Sequence, residues 1–200
     1  MYSLYLYFLG LSLRNTSKVL VIFKDEKRSH VSVWNWIQRF GSCQIYNKRK
    51  KVSAFIRDKL LYRLVISIFG YGSVLNQYRV LLGIYISEER NMLIAEKFIR
   101  SLVDKYGKYI VYTDGSTWYH EACSIIGLKY YLHSPFEKSL MERVNQYFKD
   151  RTKSFDDYYL CFVKKRKKNN CDLSYVYNWI KLFIHLYNTT TIRNKIPFIR

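Results

Sequence analysis

The stretch Lys108 to Asp157 constrains the rest of the chain more than any other part of it. Tyr109 to Thr113 is a short apolar and β-branched run that stops at Asp114-Gly115, which predicts a buried strand ending in a carboxylate and a turn. A helix is predicted to open at Ser134-Pro135-Phe136-Glu137. Ser134 has the hydroxyl of an N-cap, Pro135 loses no hydrogen bond at the first helical position, and Glu137 closes a capping box. Along that helix Phe136, Leu140, Val144 and Tyr147/Phe148 form the apolar stripe, with Lys138, Glu142, Lys149 and Lys153 on another face. One carboxylate within a row of lysines suits a face that meets a metal ion and a phosphate backbone together.

The charge balance extends this reading to the whole chain. Lys and Arg outnumber Asp and Glu 34 to 15, a formal net charge of +19, and the excess is spread along the sequence rather than held in one tail. Such a balance points to a polyanion, with nucleic acid the default. The competing reading is a basic protein whose lysines are merely solvated. At 49% hydrophobic and 18% aromatic residues the 200-residue chain can bury a real core, which excludes global disorder. Cys43, Cys123, Cys161 and Cys171 form no CxxC pair and the four histidines are scattered, so no zinc site is expected and free thiols in a reducing cytoplasm are. The apolar opening MYSLYLYFLGLSL has no basic n-region or small-residue cleavage site and is too short for a bilayer. It is expected to be a core helix, in a cytoplasmic, nucleoid-associated protein that does not meet the membrane.

In order, residues 1–42 are expected to be helical. Tyr2 to Gly10 comes first, then an amphipathic segment starting at Ser12 or Asn15, then a helix from His30 to Phe40. In the last, Val33, Trp36, Ile37 and Phe40 face inward and Ser32, Asn35, Gln38 and Arg39 outward. Two short helices joined by a tight turn, the second bearing polar fingers, fit a helix-turn-helix, although any αα-hairpin would look similar. Residues 43–51 form a basic linker. From 52 to 160 strands alternate with helices, which predicts an α/β domain. Its strands are Val52 to Ile56, Val80 to Ile86, Tyr109 to Thr113 and Leu128 to Leu132. Its helices are one opened by Glu88 to Asn91 and running to Tyr106-Gly107, a short one near His120 to Ile126, and the Ser134 helix. Residues 59–79 show no clean period. Residues 161–200 hold the basic run Lys164 to Lys168 and a last amphipathic helix, Leu173 to Tyr187, with Val176, Trp179, Ile180 and Phe183 inward.

Three acids could carry chemistry: Asp58 at or just past one strand, Asp114 after another, and Glu142 on a helix after both. Hard divalent cations prefer carboxylate oxygens, and two ions about 3.5–4 Å apart can activate an attacking oxygen and stabilise a leaving one. Lys149, two helical turns beyond Glu142, would grip a phosphate backbone. Each acid also has a plainer reading. Asp114 can be a turn residue. Glu142 can pair with Lys138 or Lys149, worth about 0.3–0.5 kcal/mol. Arg57-Asp58-Lys59 can be an exposed charge cluster, His133 a structural histidine, and Asp156-Asp157 a turn.

The segments LGLSLRNTSKVL, RSHVSVWNWIQRF, SEERNMLIAEKFI, YTDGSTWY, HSPFEKSLMERVNQYFKDRTKSFDDYY and YNWIKLFIHLYN resemble the DDE transposases of prokaryotic insertion sequences. The resemblance is to the small type with an N-terminal helix-turn-helix and an RNase H-like catalytic domain, a mixed sheet flanked by helices. It implies Asp58, Asp114 and Glu142 as catalytic, metal-binding acids around two Mg²⁺ or Mn²⁺ ions. It implies DNA contacts from Lys149, Lys138, Lys153 and Arg143, and from Ser32, Asn35, Gln38 and Arg39. The activity implied is strand nicking at the element's ends and attack of the 3′ hydroxyl on target DNA. The implied partners are double-stranded terminal inverted repeats, target DNA, and further copies of the chain on paired ends.

The resemblance breaks at 59–79. Such transposases follow the first aspartate with an acidic and a hydroxyl residue and then a tryptophan-rich strand, whereas Lys59-Leu60 and no tryptophan stand here. Translation out of frame between two compensating indels would explain this, and predicts a poorly packed second strand. A catalytically dead, end-binding remnant is the alternative function, and an RNase H-like nuclease without strand transfer a third.

Overall fold

The computed structural model describes residues 2–24, 27–42, 53–64, 67–76, 79–87, 91–152 and 173–193, with 57–64, 67–72, 173 and 191–193 placed by their backbone. The chain divides into two compact units: Met1–Asn47 with Arg151–Arg193, and Lys48–Asp150 with Asn194–Arg200. The basic linker, the Lys164 to Lys168 run, Lys153, Asp156-Asp157 and Cys43, Cys161 and Cys171 lie outside the described residues.

The first unit holds α1 (Tyr2–Phe8), α2 (Leu13–Lys24), α3 (His30–Ser42) and α7 (Leu173–Arg193). Serines fix two of the helix starts. The Ser12 hydroxyl accepts the Asn15 N–H at 3.1 Å, and the Ser29 hydroxyl accepts the Ser32 N–H at 3.1 Å. Leu4, Tyr7 and Phe8 of α1 and Val33 and Ile37 of α3 are buried, as are Val176, Trp179, Ile180 and Phe183 of α7. Trp179 stacks on Phe183 with ring centroids 5.4 Å apart. At Gly41 a Cβ would run into the backbone of Asn178, so α3 and α7 approach as closely as they do only because that residue is glycine. The C-terminal helix is therefore a fourth wall of the N-terminal unit and not a separate appendage, because its aromatic stripe needs the apolar faces of α1 and α3.

The second unit is built on a five-stranded sheet in the order β3-β2-β1-β4-β5, from β1 (Ala54–Leu64), β2 (Ser67–Leu75), β3 (Leu81–Ser87), β4 (Ile110–Thr113) and β5 (Tyr130–Leu132). The first three strands are antiparallel, and β4 and β5 run parallel to β1. Helix α4 (Met92–Tyr106) connects β3 to β4, and α5 (Thr117–Ile126) connects β4 to β5. Their residues Phe98, Ile99, Leu102, Ala122 and Cys123 share one buried cluster with Phe55, Val74, Leu82 and Val111 of the sheet. The last helix, α6 (Pro135–Thr152), buries Leu140, Met141, Val144 and Phe148. This is an RNase H-like mixed sheet flanked by helices.

Local chemistry sets the ends. The Asn91 side chain caps α4 by accepting the Ile94 N–H at 3.0 Å, and Gly107 closes it at φ 102°. The capping box at α6 is formed: the Ser134 N–H reaches Glu137 Oε2 at 2.6 Å, and the Glu137 N–H reaches the Ser134 hydroxyl at 3.4 Å.

Three expectations are corrected. First, β1 does not end near Asp58 but runs on to Leu64, so Asp58 lies inside the strand. Second, the second strand, expected to pack poorly, is paired along β1 and buried at its end. The two form a hairpin with continuous antiparallel register from Ile56↔Leu75 to Leu64↔Ser67, and Ser73, Val74 and Leu75 are buried. A period of two was obscured there by Gly70, Gly72 and the charged residues of β1, yet backbone pairing depends on neither. Third, Phe136 is not in the apolar stripe of α6. It stands exposed in the first turn, and Met141 takes the buried place.

Candidate active site

Sheet register brings two of the three predicted acids to one level. Parallel pairing of β1 with β4 matches Ala54 with Ile110, Phe55 with Val111 and Ile56 with Tyr112. Asp58, within β1, and Asp114, just past the end of β4, each lie two residues beyond that last pair. On the other side of β1, Asp58 is the register partner of Ser73 in β2.

The helix that bears Glu142 is tied to β2. The Ser73 hydroxyl donates to Oδ1 of Asn145 at 3.5 Å, both residues being buried. Asn145 stands three positions after Glu142, so the two are neighbours along α6. Asn145 thus pins to the Asp58–Ser73 pair the helical turn that bears Glu142. No sequence signal marked Asn145, because an asparagine beside exposed charges looks like another solvated residue.

The two carboxylates with described side chains differ in their surroundings. Asp114 is exposed at the turn after β4, and its oxygens accept the Ser116 N–H at 3.3 Å and the Ser116 hydroxyl at 3.1 Å. Gly115 follows with φ 81°, a left-handed angle that glycine adopts without strain. Asp114 therefore fills the turn role that its sequence context predicts. Glu142 is exposed and makes no hydrogen bond or ion pair among the described residues, so the pairing with Lys138 or Lys149 does not form. Lys138, Arg143 and Lys149 are exposed on the same helix, and Arg143 donates to the Ser139 hydroxyl at 3.1 Å. His133 is structural: its backbone N–H meets the Thr113 carbonyl at 2.9 Å, and its Nε2 lies 3.0 Å from the Tyr112 carbonyl oxygen.

The donor set is all carboxylate oxygen, which suits a hard divalent cation. Among the described residues no three His, Cys, Asp or Glu side chains gather closely enough to hold a metal ion. Asp58 enters the constellation through its place in the register.

In the helical unit the four predicted reading residues of α3 separate. Asn35 and Arg39 are exposed. Gln38 is engaged by α7, donating to the Tyr175 carbonyl at 3.4 Å and accepting from the Asn178 amide at 3.2 Å. The Ser32 hydroxyl lies 3.1 Å from that of Ser29, at the start of the helix. Cys123 is a buried thiol outside any disulfide. Among the described residues no helix is long and apolar enough to cross a membrane.

No family model matches the chain. Among solved structures it is similar to the catalytic core domain of BIV integrase, with TM-score 0.47 and 10% identity over 72% of this chain and 100% of that one. It is also similar to a chain of the simian T-cell lymphotropic virus intasome in complex with PP2A regulatory subunit B56 gamma, with TM-score 0.42 and 9% identity, over 82% of this chain and 60% of that one. It thus spans about three-fifths of the intasome chain. Among curated sequences it is 30% identical over 186 residues to the uncharacterized protein MJ0017 of Methanocaldococcus jannaschii, covering 92% of this chain and 82% of the relative. The chain belongs to the family of that archaeal protein.

Proposed function

We propose that the chain is a polynucleotidyl transferase of the DDE type, acting as the transposase of an insertion sequence that cuts and joins DNA. One observation carries the reading: Asp58 within β1 and Asp114 at the turn after β4 lie at the same register step, and Asn145 ties the α6 turn that bears Glu142 to Ser73, the partner of Asp58. Three carboxylates delivered by two strands and a helix would hold Mg²⁺ or Mn²⁺. Such ions, when bound, stabilise the charge that develops on the attacking and leaving oxygens of a phosphodiester. Glu142, which has no partner among the described residues, would act as a ligand, whereas Asp114 is oriented by Ser116.

The chain's own cations supply the rest. Lys138, Arg143 and Lys149 line the exposed side of α6 and would bind phosphates, with Lys153 continuing the row in sequence. In the helical unit α3 would read the element's ends in the major groove with Asn35 and Arg39, Ser32 lying at its start and Gln38 holding the helix on α7. Paired ends call for more than one copy of the chain.

The test is incubation of the full chain with duplex DNA carrying the inverted repeats that flank its gene. Products with free 3′ hydroxyls, and joined strands, are expected in Mg²⁺ and not in EDTA. Both should disappear in Glu142→Gln while DNA binding persists. Binding without products in any divalent metal would contradict the reading.

A further inference from the structure

Helix α7 borders the open face of α3. Val31, Asn35 and Arg39 follow one another at four-residue steps and are exposed, so they form one stripe along α3. The next stripe round that helix, Trp34, Gln38 and Gly41, is taken by α7. Trp34 and Tyr175 pair with ring centroids 6.0 Å apart, the Gln38 amide donates to the Tyr175 carbonyl at 3.4 Å, and the Asn178 amide donates to Gln38 at 3.2 Å. A Cβ on Gly41 would run into the Asn178 backbone, so the two helices approach closely. These pairs advance in the same direction along both helices, which puts Lys181, one turn beyond Asn178, level with the end of α3 at Ser42. Tyr175 is 41% exposed in spite of its contacts, and Ser174 and Lys181 are exposed as well.

Groove dimensions identify what would lie over these residues. The major groove of B-DNA is about 12 Å wide and a helix with its side chains about 10–12 Å across, so a helix seated there fills it from wall to wall. A second helix packed alongside, with axes about 8–10 Å apart, then lies under the phosphate strand that forms one wall. Its exposed side chains should suit phosphate, and those of α7 do. Lysine, tyrosine and serine all donate to phosphate oxygens, and the sequence of α7 contains no Asp or Glu. We propose that α7 is the second half of the DNA-binding surface, with Lys181 and the Tyr175 hydroxyl holding the backbone of the duplex whose groove α3 enters. The C-terminal helix thereby sets how α3 sits in the groove and has no base preference of its own. This rests on the reading of α3 as the helix that enters the groove.

The experiment titrates two fluorescein-labelled duplexes of equal length with the full chain in EDTA, over a series of salt concentrations. One duplex carries the inverted repeat and the other the same bases scrambled. Lys181→Gln is expected to weaken both alike, roughly eightfold at about 0.1 M salt, and to lower the slope of log affinity against log salt by about 0.9, the value for one phosphate. Tyr175→Phe keeps the ring on Trp34 and loses only the hydroxyl. It should weaken both duplexes about threefold with the slope unchanged, since tyrosine carries no charge. Lys97→Gln removes an equal charge from an exposed position on α4 and should leave the slope as in the parent. A parent slope retained in Lys181→Gln overturns the proposal, as does an equal fall in Lys97→Gln, which would reflect net charge alone. So does a Lys181→Gln chain that differs only in oligomeric state by size-exclusion chromatography, which would assign α7 to contact between copies. Asn35→Ala separates the two readings. If the preference for the repeat survives in it while Lys181→Gln lowers the slope, α3 does not read the ends and the α7 contact stands. If the preference is lost and Lys181→Gln changes nothing, the α3 reading stands and the proposal falls.

Discussion

The buried hydroxyl of Ser73 donates to the amide oxygen of Asn145 at 3.5 Å, joining the second strand of the sheet to the helix that bears Glu142. The contact spans 72 residues and makes α6 part of the site's scaffold. Asn145→Ala should therefore cost about 1–3 kcal/mol, because it strands a buried hydroxyl as well as removing an amide. Denaturant titrations of Asn145→Ala, Ser73→Ala and the double variant should give non-additive losses. Strict additivity would show that the two side chains do not depend on each other.

Trp179 has the same weight in the helical unit. Its indole N–H donates to the Tyr7 hydroxyl at 3.2 Å, and the ring is fully buried against Phe183. Trp179→Ala should destabilise that unit by about 3–5 kcal/mol, and binding to inverted-repeat DNA should fall with it. Thermal melts followed by far-ultraviolet dichroism give the first figure, and a gel-shift titration the second. A variant that melts like the parent would contradict α7 as part of this core.

Gly41→Ala should break the α3–α7 approach, since the added methyl meets the Asn178 backbone and not a yielding side chain. The expected result is a loss of about 1–3 kcal/mol or more, in line with overpacking, and weaker end binding. Gly83→Ala is the control: its Cβ would meet the flexible tips of Leu102 and Phe98 at 3.3 and 3.6 Å, so a smaller loss is expected. Equal stability of Gly41→Ala and the parent would refute the tight packing.

Burial raises the Tyr106 hydroxyl above its ordinary value of 10.0, and the hydroxyl donates to the Leu82 carbonyl at 3.1 Å. A raised folded value means that the unfolded chain releases this proton first. The associated stability is full below pH 10 and is lost as pH climbs through the folded value. Tyr106→Phe should therefore flatten the fall in stability above pH 10, after the constant loss of one hydrogen bond is subtracted. An unchanged alkaline slope would sink this assignment.

Much of the fold could be read from the sequence wherever period and caps agreed. Ser134, Pro135 and Glu137 announced α6, Asn91 and Gly107 bounded α4, and the α7 stripe was named residue for residue. The hairpin of β1 and β2 was illegible because its pairing is made by backbone groups, which residue type signals only weakly. Likeness of Asp58 and Asp114 to a family's acids suggested a common site, but their shared level follows from strand register, which no local pattern encodes. The same limit hid Gln38, whose partners stand 137 and 140 residues away. Phe136 misled because helical spacing places a residue on a stripe without saying whether the neighbouring element extends far enough to cover it.

The central claim, that Asp58, Asp114 and Glu142 together hold a divalent metal, is tested most directly by iron-directed cleavage of the polypeptide. Fe²⁺ replaces Mg²⁺ in the full chain, ascorbate and peroxide are added, and the fragments are mapped by mass spectrometry. The account predicts cuts clustered near residues 58, 114 and 142, suppressed by excess Mg²⁺ and lost in Asp114→Asn. Cuts confined to other positions, or cuts that neither Mg²⁺ nor the substitution affects, would contradict it.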